Sequence, residues 1–256
     1  MRVIAVIPAR MASSRFPGKP LKEIYGLPMV EHVRRRAELS GAFSEVLVAT
    51  CDEEIFRAVR RHGGRAVMTS PNHEAATDRV WEAAGAESST HVVNVQGDEM
   101  LILPQDLERM VSEIRRRPEI PAWNAVGPIK NEKTLRDRSV VKCFISRTGR
   151  IFFCSREIPL CYWTGVESFE PLRCLLGVLA YRLDYLQCYA KLSRTPLEQA
   201  DSIDQFRILE QDGLLQSVSF GQAYLGVNFP EELEEAERIL ASDTAQRDVL
   251  KKILEL

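Results

Sequence analysis

The sequence predicts an α/β fold: a Rossmann-like, mostly parallel sheet carrying a smaller inserted antiparallel lobe. Three observations lead there. The first half alternates short apolar runs with amphipathic stretches of helical period, the pattern of βαβ units. Runs such as VIAVI and VLVA are apolar throughout, as strands buried on both faces of a parallel sheet must be. The second half abandons that alternation for paired strands, a hairpin turn and a long irregular stretch, which suits an antiparallel insertion.

Taken in order, strands are expected at residues 3–7, 45–50, 65–68 and 91–95. Helices are expected at 29–39, 53–62, 77–86 and 105–117. Gly63-Gly64 ends the second of these helices, since glycine takes the left-handed conformation that closes a helix without a steric penalty. Strands at 140–145 and 150–154 flank Arg147-Thr148-Gly149, a hairpin turn, and a further buried strand covers 174–181. Residues 157–171 are rich in Pro, Gly and aromatics and read as a loop over a site or a subunit contact. Helices at 202–211, 230–241 and 244–256 complete the chain; the acidic run Glu231 to Glu237 suits a helix N-terminus. No internal repeat or low-complexity segment interrupts it. The 256 residues form one domain, with a nucleotide-binding half over about 1–135 and an acceptor-binding and dimerisation half over about 136–256.

Composition excludes several functions. With 45% hydrophobic residues the chain can bury a full core, and a net charge of −2 gives no electrostatic footprint for nucleic acid. No stretch approaches the roughly 18–20 apolar residues of a membrane span, and the first apolar run stops at Pro8. The six cysteines lack paired spacing, so reduced thiols in a cytoplasmic protein are expected. Arg34-Arg35-Arg36 and Arg115-Arg116-Arg117 read as solvated helix faces, and Trp81, Trp123 and Trp163 as packing residues.

The chemistry concentrates at two strand ends. After VIAVI comes PARMASSRFPGKPL, which sends Arg10, Arg15 and Lys19 out of the carboxyl edge of the sheet. Parallel sheets bind ligands at that edge, and three cations there suit a polyanion such as a nucleoside triphosphate. The loop is not a Walker A motif, because the GxxxxGK[ST] spacing is absent. The strand HVVNVQG ends in Asp98 and Glu99, and a carboxylate there can hold Mg²⁺ beside the phosphates. Solvated loop charges and a turn-capping carboxylate are the bland alternatives.

These segments resemble the CTP-using sugar nucleotidyltransferases that activate 3-deoxy-manno-octulosonate (KDO) and related acids. The first loop fits PAR-x-x-[ST]-x-R-x-PGKPL, and VNVQGDE is similar to that family's VNVQGDEP, with Met100 in place of the proline. The resemblance implies the nucleotide-diphospho-sugar transferase fold, CTP as substrate, Mg²⁺ as cofactor, a small acidic acceptor and a homodimer joined near residues 158–169. It implies that Arg10 and Lys19 bind phosphate and that Asp98 binds the metal, with Arg15 beside them. His73-Glu74-Ala75-Ala76-Thr77-Asp78-Arg79 resembles H-x-SG-T-x-R, which brings Thr77, Arg79 and Gln96 to the nucleoside side; Thr77 could equally cap its helix.

The resemblance spans nearly the whole chain but weakens in the acceptor half. Cys154-Ser155-Arg156 matches an FSR element whose arginine lines the sugar-acid pocket. Pro196-Leu197-Glu198 and the segment from Asp204 to Glu210 resemble PLE-H-x-E-x-LEQLR-x-LE, which implies acceptor roles for Glu198, Asp201, Asp204 and Gln205. The family's HxGIYxYR strand has become LLGVLAYR, so a His and a Tyr are replaced by Leu175 and Leu179. Its GVDTPEDL reads GVNFPEEL, so the second metal-binding aspartate is Asn228. Buried hydroxyls left facing leucine cost roughly 1–3 kcal/mol each, so these changes point to altered acceptor choice. A cytidylyltransferase for KDO or a KDO-like acid is the expected function. A small phosphonate or carboxylate acceptor held by Arg156, or a degenerate nucleotide-binding regulatory subunit, stand as alternatives.

Overall fold

The computed structural model describes residues 1–12, 15–158, 169 and 172–256. Most of the 157–171 stretch, with Cys161, Trp163 and the expected dimer contact, therefore lies outside the described residues. Among the described residues the main sheet has nine strands. β1 (Val3–Ala9) is central, with β4 (Glu45–Thr50) and β6 (His91–Val95) parallel on either side and β5 (Arg65–Met68) parallel beyond β4. A two-stranded ribbon, β2 (Glu23–Ile24) and β3 (Leu27–Pro28), follows the first loop.

The antiparallel part is an outgrowth of this sheet. β10 (Leu172–Arg182) runs antiparallel to both β6 and β7 (Ala122–Pro128), and β11 (Leu215–Ser219) lies parallel to β7 at the edge. The first residues of β10 also pair with β8 (Lys142–Ile145), which forms a hairpin with β9 (Ile151–Ser155). Gly149 closes the hairpin at φ +81°. The pairing of β10 with β7 slips between Leu175 and Leu179, leaving a bulge at Gly177.

Strand alternation divides the core. Val3, Ala5 and Ile7 of β1 join one apolar cluster, while Ile4 and Val6 join another, as successive side chains of a strand must face opposite ways. The first cluster is covered by α1 (Met29–Leu39), α2 (Glu53–Arg61), α4 (Pro104–Arg116), α9 (Pro230–Ser242) and α10 (Thr244–Leu254). The second is covered by α3 (Ala76–Gly85) and α6 (Leu183–Tyr189). Trp123 is fully buried, and no described helix is long and apolar enough to cross a membrane. The five described cysteines, Cys51, Cys143, Cys154, Cys174 and Cys188, are free thiols.

Two expectations need correction. Arg34, Arg35 and Arg36 are buried, each against a different part of the chain, with α10 folded back over α1 on the Arg35 side. Arg35 donates to the Ile253 carbonyl at 2.7 Å, in the last turn of α10 where helix carbonyls lack partners. Arg36 donates to Ile102 O at 3.1 Å, and Arg34 pairs with Glu31 at 2.6 Å. The helix expected over 202–211 is broken: α7 (Pro196–Asp201) stops at Ser202, whose φ of +53° is left-handed, and α8 (Phe206–Leu209) is one turn. The short α5 (Glu132–Arg136) follows β7, and Asn131 caps it by accepting from Thr134 N.

Candidate active site

A cationic cleft opens where β1 and β6 end. Gly18, at φ +71°, turns the first loop back, and the Met11 N–H donates to Asp52 Oδ2 at 2.8 Å to anchor it. A Cβ on Gly97 would lie 2.9 Å from the Pro8 carbonyl oxygen, so only glycine lets the two strand ends approach this closely. The cleft measures about 280 Å³, and Arg10, Arg15, Lys19, Arg79, Gln96 and Asp98 all line it. Lys19 Nζ donates to Asp98 Oδ2 at 3.0 Å and to Val227 O at 2.8 Å, joining the two loops to a third. Arg79 is buried and donates to Thr69 Oγ1. His73 also borders the cleft, with its ring held by the Glu82 carboxylate.

The third loop carries Asn228. The Val227 N–H donates to Asp98 O at 3.2 Å, which fixes Asn228 beside the end of β6. Asn228 Oδ1 accepts from Arg15 at 3.2 Å, and the Arg15 guanidinium lies 5.4 Å from the centroid of the Phe229 ring. Glu232, in the first turn of α9, accepts the N–H groups of Asn228 and Phe229 and so caps that helix.

A second cavity of about 500 Å³ adjoins the first and shares Gln96 with it. The bulge in β10 forms one wall: Gly177 donates its N–H to Glu99 Oε1 at 2.7 Å and accepts from Gln96 N at 2.8 Å. A Cβ at Gly177 would meet Glu99 Oε1 at 2.6 Å. Leu175, Leu176 and Leu179 supply apolar surface, while Asp204, Gln205 and Asn228 face the same space. Burial and the Asp98 charge push the Glu99 carboxyl up to about 8. Burial, reinforced by the Glu198 charge, also raises Asp204. Gln205 is held by donating to Asn124 Oδ1 at 2.7 Å.

The remaining sequence candidates serve the frame around these cavities. Thr77 is buried outside the cationic cleft, in the first turn of α3, and donates to Asp204 Oδ2 at 3.4 Å. Arg156 gives its guanidinium to backbone carbonyls, at 2.8 Å to Asp201 O and 3.1 Å to Arg138 O, with Ser139 O and Ser202 O at 3.3 Å. It does not line the second cavity, nor does Asp201, whose carbonyl it holds. Glu198 is fully buried against Arg207, whose guanidinium also lies 4.6 Å from the Tyr189 ring centroid. Tyr189 in turn donates to Asp204 O at 3.1 Å, so the Glu198–Arg207 pair fixes the loop bearing Asp204. Sequence reasoning missed Glu99, Gly177 and Asn124 as cavity-shaping residues. The one local signal was the second carboxylate beside Asp98.

The cytidylyltransferase family model matches residues 4–217. The 3-deoxy-manno-octulosonate cytidylyltransferase of Geobacter metallireducens is 39% identical over 244 residues, covering 91% of this chain and 96% of that protein. The Escherichia coli protein of the same description is 34% identical over 245 residues, covering 96% and 98%. A solved structure of CMP:2-keto-3-deoxy-manno-octonic acid synthetase complexed with CTP superposes with a TM-score of 0.87 at 34% identity, over 95% of this chain and all of that one.

Proposed function

The chain belongs to the cytidylyltransferase family, and from that premise we propose that it transfers CMP from CTP to 3-deoxy-manno-octulosonate, releasing pyrophosphate. The observation that carries this reading is the meeting of a cationic cleft and a larger, mixed cavity at Gln96, Asp98 and Glu99. CTP lies in the cleft, its triphosphate against Arg10, Arg15 and Lys19 and its nucleoside towards Arg79 and Gln96. The acceptor occupies the second cavity with one hydroxyl directed at the α-phosphorus. That oxygen forms the new bond to phosphorus, the bond from the α-phosphorus to the β-bridging oxygen breaks, and the hydroxyl proton leaves to solvent. Charge accumulates on the departing pyrophosphate, where fixed cations stabilise the transition state more than the ground state.

The donor set fits Mg²⁺. Lys19 takes only Oδ2 of Asp98, and Asn228 brings an amide oxygen alongside. Mg²⁺ prefers one or two such protein oxygens, with phosphate oxygens and water completing an octahedron. When bound, it neutralises phosphate charge and draws the triphosphate into line. Asp98 and Asn228 would hold it, while Lys19 and Arg15 keep those two side chains oriented. A homodimer acting in the cytoplasm belongs to the same reading, and light scattering at working concentration checks the assembly.

The test is an assay of pyrophosphate release with CTP, Mg²⁺ and KDO, each omitted in turn, and with the other nucleoside triphosphates in place of CTP. CMP–KDO should form with pyrophosphate in equal amount, and CTP should be preferred. Pyrophosphate release that ignores the acceptor, or no product at all, would refute the proposal.

A further inference from the structure

The second cavity is unbalanced in both charge and hydrogen bonding. Glu99, Asp137, Asp204 and Glu232 line it, and among the described residues no Arg, Lys or His does. Two of these carboxylates are engaged: Glu232 caps α9, and Asp137 accepts the N–H and hydroxyl of Ser139 at 2.8 and 2.7 Å. The other two are engaged through one oxygen each, Glu99 Oε1 by the Gly177 N–H. Glu99 is only 6% exposed, and among the described residues its Oε2 has no hydrogen-bond partner. Among the described residues the Asp204 carboxylate receives one long bond, from Thr77 at 3.4 Å.

The neutral groups lean the same way. Gln96 and Gln205 direct their NH₂ groups backwards, onto Asn94 Oδ1 at 3.5 Å and Asn124 Oδ1 at 2.7 Å. Among the described residues their amide oxygens have no donor. The hydroxyls of Ser139, Thr134 and Tyr224 donate to Asp137, Asn131 and Asp106. The cavity therefore offers hydrogen-bond acceptors and carboxyl groups in excess. Arg156, the cation that the sequence placed there, is held instead by four backbone carbonyls.

Desolvated carboxyls that no cation contacts directly are costly, and a cationic ligand reduces that cost. We propose that the preferred acceptor is a sugar acid carrying a primary amino group in place of a hydroxyl remote from the reacting one, its ammonium received by Glu99 and Asp204. This inference rests on the proposed function and narrows its acceptor. An ammonium supplies three donors and a positive charge, where a hydroxyl supplies one donor and none. The acid's own carboxylate belongs beside Asn228, which lines the cavity and accepts from Arg15 at its border.

The experiment compares kcat/KM for KDO with that for its single amino-for-hydroxyl analogues at saturating CTP and Mg²⁺. One analogue should exceed KDO by about ten- to a hundredfold, the range of a hydrogen bond to a charged group. Glu99→Gln and Asp204→Asn should each lower kcat/KM for that analogue by about tenfold more than for KDO. KDO matching or exceeding every analogue in the wild-type enzyme would overturn the inference and leave the proposed function standing. A preference untouched by either variant would also overturn it. Turnover of neither acceptor would refute the proposed function, and this inference with it.

Discussion

Replacing Lys19 by methionine removes a charge while keeping the length of the side chain. Lys19 Nζ sits 3.0 Å from Asp98 Oδ2 and 2.8 Å from Val227 O, with 15% of its side chain exposed and 26% of that of Asp98. A pair open to water to this degree contributes at most about 1 kcal/mol to folding. The orphaned Val227 carbonyl adds about 1 kcal/mol more. For a chain of 256 residues each kcal/mol lowers Tm by about 2–4 °C, so the variant should melt about 2–8 °C lower and remain folded at 25 °C. The catalytic loss is larger. A fixed donor aimed at developing charge is worth about 3–4 kcal/mol, or about 10²–10³ in kcat. Pyrophosphate release at saturating substrates reads kcat, a CTP titration reads KM, and a melting curve checks the fold. Because the charge on the leaving pyrophosphate grows in the transition state, the loss should fall mainly on kcat. A kcat within about threefold of wild type would refute this role for Lys19. So would a loss confined to KM.

Two further predictions probe the core and the bulge. His32 is fully buried and its Nε2 lies 2.8 Å from Ile24 O; burial, with Arg36 and Arg35 nearby, lowers its pKa to about 4. The unfolded chain takes up this proton near pH 6.5 and the folded one only near 4, so its stabilising contribution is complete above 6.5 and falls as the pH drops between these values. The loss from pH 7 to 5 is about 2 kcal/mol, and urea melts of His32→Gln should show a pH dependence shallower by that amount; parallel slopes would count against it. Gly177→Ala drives a Cβ to 2.6 Å from Glu99 Oε1 and 3.0 Å from the Gln96 Cβ, so the acceptor KM should rise about tenfold while CTP binding, followed by thermal shift, changes little. Equal losses for both substrates would show that the bulge does not serve the acceptor cavity in particular.

What could be read from the sequence follows from how local each interaction is. The ranges 45–50, 65–68, 91–95 and 29–39 coincide with β4, β5, β6 and α1 because apolar runs there end at clear turn residues. β7 escaped notice because Asn124 breaks its apolar run, and only the folded chain supplies the reason: Asn124 donates to Leu176 O at 3.0 Å and accepts from Gln205. Arg34 to Arg36 looked solvated because the carbonyl that receives Arg35 lies 218 residues away. The same distinction holds in the site. Arg10, Arg15 and Lys19 leave one strand and face one cleft with Asp98, all within short segments that a motif can describe. Arg156 reads as a pocket arginine in isolation, yet its destination is set by the carbonyls of Asp201 and Ser202, at the end of α7 and 45 and 46 residues further on.

The turn after β6 explains why the cationic cleft and the second cavity can be so close and yet differ in character. Gly97 brings the turn against Pro8, which places Asp98 in the cleft beneath the Lys19 ammonium. One residue later the chain has turned, and Glu99 enters the second cavity, buried and held by the Gly177 N–H. Adjacent carboxyls thus enter opposite environments: Asp98 is partly solvated and paired with a cation, whereas Glu99 is desolvated and beside a like charge. Gln96, just before the glycine, borders both spaces. A substitution that moved this turn would disturb both substrates at once, because the same few backbone atoms fix the phosphate side and the acceptor side. A change at Gly177, in the bulge of β10, meets Glu99 and Gln96 first. The lining of the second cavity can therefore change through Leu175, Gly177 and Leu179 while the loop bearing Arg10, Arg15 and Lys19 stays as it is, which is the pattern of kept and altered motifs that this chain shows.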